Sequence, residues 1–161
     1  MTRNLLDKRM KLLKSELAEM GSLVEKQIYN SIEAFKNKDM VLAKQVMDND
    51  DKVDELNRKI EEQCLKLMAM ESPVATDLRK IFTTSKIVTD LERMADYAVD
   101  ILYRGLFNDM LKKMAKDESI INKGAQMLFA SKYLERVGDH VTNICEWIIF
   151  SSKGDYVDLN E

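Results

Sequence analysis

Hydrophobic residues recur along this chain every three or four positions, which is the period of an α-helix with one buried face. In the first run they are Leu6, Met10, Leu13, Leu17, Met20, Val24, Ile28, Ile32 and Phe35. The polar residues Asn37, Lys38 and Asp39 then interrupt the pattern. The spacing therefore predicts a first helix that ends near residue 37.

The same spacing predicts a second helix from about Met40 to Met70. It ends before Pro73, because the residue that precedes a proline is pushed out of helical space. The predicted inward positions of this helix are Ala43, Val46, Val53, Ile60, Cys64 and Leu67.

A third helix is predicted to start near Val74 and to continue without a stop signal as far as residues 116–118. Its inward positions are Leu78, Ile81, Ser85, Val88, Ala95, Val99, Leu102 and Leu106. The fourth helix runs from about Ser119 to residues 151–154, where Gly154 is suited to the position that follows a helix.

Long helices joined by short loops pack as antiparallel neighbours. We therefore predict an all-α protein, an antiparallel bundle of about four long helices in up-down-up-down order. Residues 1–161 form one domain, and residues 155–161 form a frayed tail. We expect the eleven methionines to fill irregular gaps in the core of such a bundle.

Composition narrows the possible functions. The net charge of −3 argues against a nucleic-acid-binding protein, which would carry a basic face. No apolar run approaches the roughly 18 residues of a transmembrane helix, and the charged N-terminus has no signal-peptide core. Cys64 and Cys145 form no metal or redox motif, so we expect buried, reduced thiols in a cytosolic protein.

One six-residue phrase occurs twice. The sequence Leu-Glu-Arg-Met-Ala-Asp at residues 91–96 returns as Leu-Glu-Arg-Val-Gly-Asp at residues 134–139. Each copy places a Glu and an Asp four residues apart, and therefore on one face of a helix. Two like charges this close repel each other, so the repeated pair suggests a bound cation.

Acidic residues also interrupt the apolar stripes, at Asp50, Glu92 and Glu135. An ionised carboxylate that faces a core is costly unless it is paired or bound to metal. The turn at Pro73 places Asp54 opposite Glu92 and Asp50 opposite Asp96. The turn near residue 117 places Asp100 opposite Glu135 and Asp96 opposite Asp139. The candidate metal ligands are Asp50, Asp54, Glu92, Asp96, Asp100, Glu135 and Asp139.

Carboxylate oxygens without thiol or imidazole ligands suit iron, manganese, magnesium or zinc. His140 lies beside Asp139 in sequence and not on its helical face, so we expect it to be peripheral to the metal. Two alternatives remain open. One is a carboxylate-bridged metalloenzyme; the other is a structural bundle in which Arg93 or Arg136 neutralises a neighbouring acid.

Residues 133–148, Tyr-Leu-Glu-Arg-Val-Gly-Asp-His-Val-Thr-Asn-Ile-Cys-Glu-Trp-Ile, resemble the closing signature of the PhoU family of bacterial phosphate-uptake regulators. Residues 90–100 resemble its counterpart in the first repeat. The resemblance covers nearly the whole chain, but members of the family usually have two complete three-helix repeats. Here residues 1–100 form a complete first repeat and residues 99–153 a partial second one, joined at Val99-Asp100.

The resemblance implies a cytoplasmic, non-enzymatic protein that restrains phosphate import and the phosphate-starvation response. Its implied partners are the ATPase subunit of the phosphate ABC transporter and the phosphate-sensing histidine kinase. Two separate metal clusters are typical of the family. In this chain Asp96 would be shared, so we expect one site or two coupled sites. The missing helix leaves apolar surface on the fourth helix, so we also expect dimerisation, with a homodimer as the expected form, or completion of the bundle in trans.

Overall fold

A computed structural model describes the backbone of residues 3–70, 72–114 and 119–159, and the side chains of residues 4–70, 72–102, 126, 129–130 and 132–159. The backbone forms four helices, α1 (Arg3–Asn37), α2 (Met40–Met70), α3 (Ala75–Met114) and α4 (Ser119–Lys153). No β-strand is present in these residues. The predicted all-α bundle of four helices is confirmed; the predicted stop at residues 116–118 lies outside the described residues.

The turn between α1 and α2 depends on two neighbouring residues. Lys38 takes a left-handed backbone conformation with φ of 55°, which ends α1. The side chain of Asp39 then caps α2, since its Oδ1 accepts hydrogen bonds from the backbone N–H groups of Val41 at 2.9 Å and Leu42 at 3.0 Å. These N–H groups have no partner within the helix, so the cap satisfies two orphan donors.

We expect Asp39→Ala to lower the free energy of unfolding by about 1 kcal/mol, because both donors lose their acceptor. Urea denaturation followed by circular dichroism measures the difference. Asp48→Ala is the matched control, since Asp48 is an exposed acid inside α2. Equal stability of the two variants would contradict the assigned cap.

Helices α1, α2 and α3 form a three-helix bundle in which each helix contacts the other two. Its centre is made by side chains that are at most 1% exposed, among them Leu13, Met20, Ile60, Ile81 and Val88. Among the described helices, α4 contacts only α3. The fourth helix therefore extends the bundle along one side and does not close it into a ring.

The buried stripes agree with the sequence pattern to different degrees. All six predicted positions of α2 are buried. In α1 the prediction holds at Ile28, which packs against the core, but it is wrong at Ile32, which is 37% exposed while Gln27, Ser31 and Ala34 are buried. The buried positions of α1 repeat every seven residues, as in helices that wrap around each other. In the second half of the helix these positions hold polar and small residues, in place of the apolar residues that were expected to be buried.

Helix α3 is buried over a wider arc than predicted. Leu78 is exposed, whereas five described hydrophobic residues outside the predicted stripe are buried: Ile87, Leu91, Met94, Ala98 and Ile101. The physical reason is its position, since α3 packs against α1 and α2 on one side and against α4 on the other.

The end of the chain differs from the predicted frayed tail. Gly154, with φ of 90°, follows α4 as expected, and its N–H donates to the Phe150 carbonyl at 2.9 Å. The chain then folds back, so that the Tyr156 hydroxyl and the Leu159 N–H donate to the carboxylate of Glu146 at 3.1 and 3.0 Å. Glu146 is only 3% exposed, and these donors satisfy its charge.

The two thiols have different environments. Cys64 is buried, as predicted, and burial raises its pKa to about 11. Cys145 is exposed, so its predicted burial is wrong. Within the described residues, none of the helices has a stretch long and apolar enough to cross a bilayer.

Candidate functional site

Four carboxylates lie where α2 and α3 run side by side. Asp50 and Asp54 are one turn apart on α2, and Glu92 and Asp96 are one turn apart on α3. The first three are half-buried and Asp96 is exposed. The helical hairpin thus places both pairs at the same height of the bundle, at the edge of the core.

These acids affect one another electrostatically. Burial raises the pKa of Glu92, and the charges of Asp96, Asp54 and Asp50 raise it further, against a smaller opposing effect of Arg93. Burial also raises the pKa of Asp96, with added contributions from Asp50, Asp54 and Asp100. Both acids of α2 therefore act on both acids of α3, as the predicted pairing of the hairpin requires.

Gln27 of α1 also contacts this group of acids, and it was not among the site residues predicted from the sequence. Its amide Nε2 donates to Oδ1 of Asp50 at 3.0 Å and lies 3.5 Å from the Val46 carbonyl, while its side chain is 4% exposed. This hydrogen bond lowers the pKa of Asp50, but burial outweighs it and the net shift is upward. The sequence feature that could have identified Gln27 is its position, since it is a polar residue seven positions after Met20 and thus on the buried stripe of α1.

The donor set suits a hard or borderline cation, since it consists of carboxylate oxygens alone. In the described part of the chain, no three Asp, Glu, His or Cys side chains are already gathered as a metal-binding group. Among the described side chains, no Lys or Arg nitrogen lies within 4.0 Å of a carboxylate oxygen of these four acids, so they form no ion pair there; Arg58 donates only to the backbone carbonyl of Asp54, at 3.3 Å. This arrangement argues against the salt-bridged alternative and leaves mutual repulsion that a cation would relieve.

The second copy of the repeated phrase is placed differently. Glu135 and Asp139 are both exposed on α4, so the prediction that Glu135 faces the core is wrong. Gly138 is also exposed, and a Cβ added there would have no other atom within 4 Å. The absence of a side chain at Gly138 is therefore not needed to create space for a neighbouring acid. Within the described residues, the acids that raise the pKa of Asp96 all come from α2 and α3. A ligand role for Glu135, Asp139 and Asp100 stays a prediction.

The side of α4 that does face α3 carries other polar residues. Nδ1 of His140 lies 2.8 Å from Oδ1 of Asp90, and the amide of Asn143 donates to the same oxygen at 3.5 Å. Asp90 is 5% exposed. His140 is therefore a polar contact between two helices, and the prediction that it is merely peripheral to a metal missed this pairing.

An aromatic layer adjoins this contact. The ring of Tyr97 stacks on His140 at 5.7 Å and on Tyr133 at 5.9 Å. The guanidinium of Arg136 lies 5.6 Å from the Tyr97 ring and donates to its hydroxyl at 3.2 Å. Arg136 thus contacts an aromatic residue. From the sequence, one open alternative was that Arg136 neutralises a neighbouring acid.

Comparisons with known proteins identify relatives over nearly the whole chain. The family profile of the PhoU domain matches residues 17–105 and again residues 98–148, so residues 98–105 match both times. A phosphate-specific transport system accessory protein PhoU homolog of Clostridium acetobutylicum is 36% identical over 219 aligned residues, which cover all of both chains. Since this chain has 161 residues, that alignment spans positions of the relative that have no counterpart here.

Further relatives and solved structures agree with this result. The phosphate-specific transport system accessory protein PhoU of Escherichia coli is 26% identical, over 88% of this chain and 83% of its own. The crystal structure of PhoU from Pseudomonas aeruginosa superposes with a TM-score of 0.82 at 26% identity, over 92% of this chain and 99% of that one. A regulatory protein PhoU from Streptococcus pneumoniae, 22% identical, shares the fold with a TM-score of 0.83 over 96% of this chain and all of the other.

Proposed function

The chain belongs to the PhoU family, and we propose that it is a cytoplasmic accessory regulator that restrains phosphate uptake and the phosphate-starvation response. The observation that carries this proposal is the match of the family profile to residues 17–148. The names of the relatives, accessory proteins of phosphate-specific transport, indicate the process. In this proposal the protein acts by binding and not by catalysis.

The proposed partners are the ATPase subunit of the phosphate ABC transporter and the phosphate-sensing histidine kinase. A long helical bundle offers several exposed apolar side chains for such contacts, for example Leu12 at 54% and Leu65 at 64% exposure. Binding of a shared regulator to both proteins would couple import to signalling. The chain is further proposed to act as a homodimer.

We also propose that Asp50, Asp54, Glu92 and Asp96 hold a divalent or trivalent cation, such as iron, manganese, magnesium or zinc. The raised pKa values of Asp50, Glu92 and Asp96 support the proposal, because burial and then the neighbouring carboxylates disfavour their charged forms, and a bound cation would offset both effects. A bound cation would supply charge neutralisation between α2 and α3. Asp50, steadied by Gln27, would present a fixed oxygen from the bundle side.

The regulatory proposal is tested by affinity capture from cells of the source organism grown in excess phosphate. We expect a tagged chain to retain the transporter ATPase or the kinase, identified by mass spectrometry. A tagged full-length relative serves as the positive control and an unrelated helical bundle as the negative one. If the relative captures either partner and this chain captures neither, the proposed partnership is wrong.

A further inference from the structure

Helix α4 carries a continuous exposed stripe that the proposed regulatory role does not use. We name it the α4 seam, and it consists of Leu134, Gly138, Val141, Cys145, Ile148 and Ser152. Its large members are well exposed, at 41% for Leu134, 45% for Val141 and 55% for Ile148. The steps of four and three residues keep all six within an arc of about 80°. An apolar stripe of this kind on a surface indicates an interaction site.

None of the residues that the structure describes covers the seam. Helix α4 packs on α3 through a neighbouring face, which carries Val137, His140 and Ile144. The segment 155–159 returns over Glu146 and Trp147, on the other side of the helix. The Clostridium acetobutylicum relative has residues within the aligned length that have no counterpart in this chain.

The order of side chains along the seam determines which partner fits. Large and small residues alternate: Leu134, Gly138, Val141, Cys145, Ile148, Ser152. A second α4 that runs antiparallel, about a two-fold axis near Asn143, brings a large residue opposite a small one at every level. Leu134 meets Ser152, Gly138 meets Ile148, and Val141 meets Cys145. An in-register parallel pair would instead set large against large and leave gaps between the small residues.

We propose that the α4 seam is the contact between two copies of this chain, paired antiparallel in this register. The inference deepens the proposed function, since it rests on the proposed homodimer and gives that dimer a surface. Self-complementarity is what a two-fold interface requires. No charged side chain lies on the seam, so the pairing brings no like charges together along it.

The size of the contact sets the expected strength. Residues 134–152 span about 27 Å of helix, which makes a single narrow seam. Stable interfaces bury about 1,600 Å² in total, and one helix pair of this length lies toward the lower end of the range. We therefore expect a reversible dimer that dissociates on dilution, measured by sedimentation equilibrium of the purified chain.

Two glycines provide a matched pair of variants for the location of the contact. An added Cβ at Gly21 or at Gly138 would meet no atom within 4 Å, so neither site is blocked at the Cβ in the single chain. We expect Gly138→Leu to weaken dimerisation by at least about tenfold, since the new side chain would meet Ile148 of the second copy. Gly21→Leu is expected to leave dimerisation unchanged. An unaffected Gly138→Leu dimer, or equal weakening by both variants, would refute the seam.

A cysteine variant tests the register. Val141→Cys places a thiol opposite Cys145 of the second copy, so mild oxidation is expected to give a covalent dimer on a non-reducing gel. The wild-type chain and Ile148→Cys are expected to give none, because neither puts two thiols at the same level. A cross-linked wild-type chain would indicate a parallel pair and overturn the proposed register. Cys64 is 1% exposed and does not interfere.

These outcomes separate the two proposals. A chain that stays monomeric at every concentration refutes the homodimer together with the seam. A dimer that tolerates Gly138→Leu refutes the seam alone. Neither result affects the capture of transporter or kinase, because the purified chain is measured without them.

Discussion

Replacing two acids of α3 is expected to change the response of the protein to metal from a large stabilisation to none. For the wild-type chain at a manganese concentration about a hundred times the dissociation constant, we expect a gain of about 2.7 kcal/mol in unfolding free energy. This corresponds to a rise of about 5–10 °C in melting temperature for a chain of this size. The double variant Glu92→Gln/Asp96→Asn is expected to show no rise, since it removes half of the proposed ligands.

The matched control uses the second copy of the repeated phrase. Glu135→Gln/Asp139→Asn makes the same chemical change at two exposed residues of α4. We expect this variant to keep most of the metal response, which differential scanning calorimetry measures with and without added metal. Equal loss of the response in both double variants would show that α4 supplies ligands too. No response in the wild-type chain, with iron, manganese, magnesium and zinc each tried, would refute the metal site.

Without metal, Glu92→Gln/Asp96→Asn is expected to be more stable than the wild type at neutral pH. The pKa values of Glu92 and Asp96 are raised in the folded chain, above all by burial. The folded state therefore holds protons more tightly than the unfolded state, and it loses stability as the pH rises through the raised pKa values. Solvent screening limits the gain of the variant to about 1 kcal/mol, because both side chains are partly exposed.

The difference in unfolding free energy between this variant and the wild type is expected to change with pH in a direction that can be measured. Below the unfolded pKa values of Asp and Glu, near 4, the acids are protonated in both states and the difference between variant and wild type disappears. Chemical denaturation at several pH values from about 4 to 7 would show the difference growing with pH. A difference that shrinks toward neutral pH would mean that Glu92 and Asp96 are stabilised as anions, contrary to the raised pKa values.

The four helices could be predicted from the sequence because each has a strong local signal. The stripe of α2 predicts its buried side chains, and Pro73, Lys38 with Asp39, and Gly154 mark turns that depend on neighbouring residues alone. Such signals need no knowledge of the rest of the fold. The hairpin of α2 and α3 was predictable for the same reason, since a short turn fixes which residues lie side by side.

The orientation of α4 could not be predicted in this way. The phrase at residues 134–139 copies the phrase at residues 91–96, so the sequence suggests equal roles for Glu92 and Glu135. Glu92 is nevertheless half-buried and Glu135 exposed. Helix α3 has neighbours on two sides while α4 contacts α3 alone among the described helices. Burial therefore depends on the number of packed neighbours, which a helical period does not report.

The same limit applies to the polar contacts that hold the helices together. The contact of Gln27 with Asp50 joins α1 to α2, and the contact of Asp90 with His140 joins α3 to α4, across 23 and 50 positions of sequence. Each pair includes a side chain that is at most 5% exposed. A buried polar residue signals that a partner exists, but only the packing of the helices identifies the partner.

Loss of the Asp90–His140 contact is expected to have the largest effect of any single polar substitution on the attachment of α4. His140→Ala leaves the carboxylate of Asp90 buried without its nearest partner, and we expect a loss of about 2–3 kcal/mol in unfolding free energy. Trp147, the only tryptophan of the chain, lies on α4 and reports its packing by fluorescence.

The double variant Asp90→Ala/His140→Ala measures the interaction free energy between these two residues apart from the contacts that each makes with other residues. Because it removes the buried charge together with its partner, we expect it to be less destabilised than the two single variants added together, by at least about 1 kcal/mol. Thr142→Ala is a suitable control, since among the described residues its hydroxyl donates to the Gly138 carbonyl of its own helix, at 3.3 Å, and to no residue of α3. Strict additivity would show that Asp90 and His140 act independently, so that their contact adds no coupling energy to the attachment of α4.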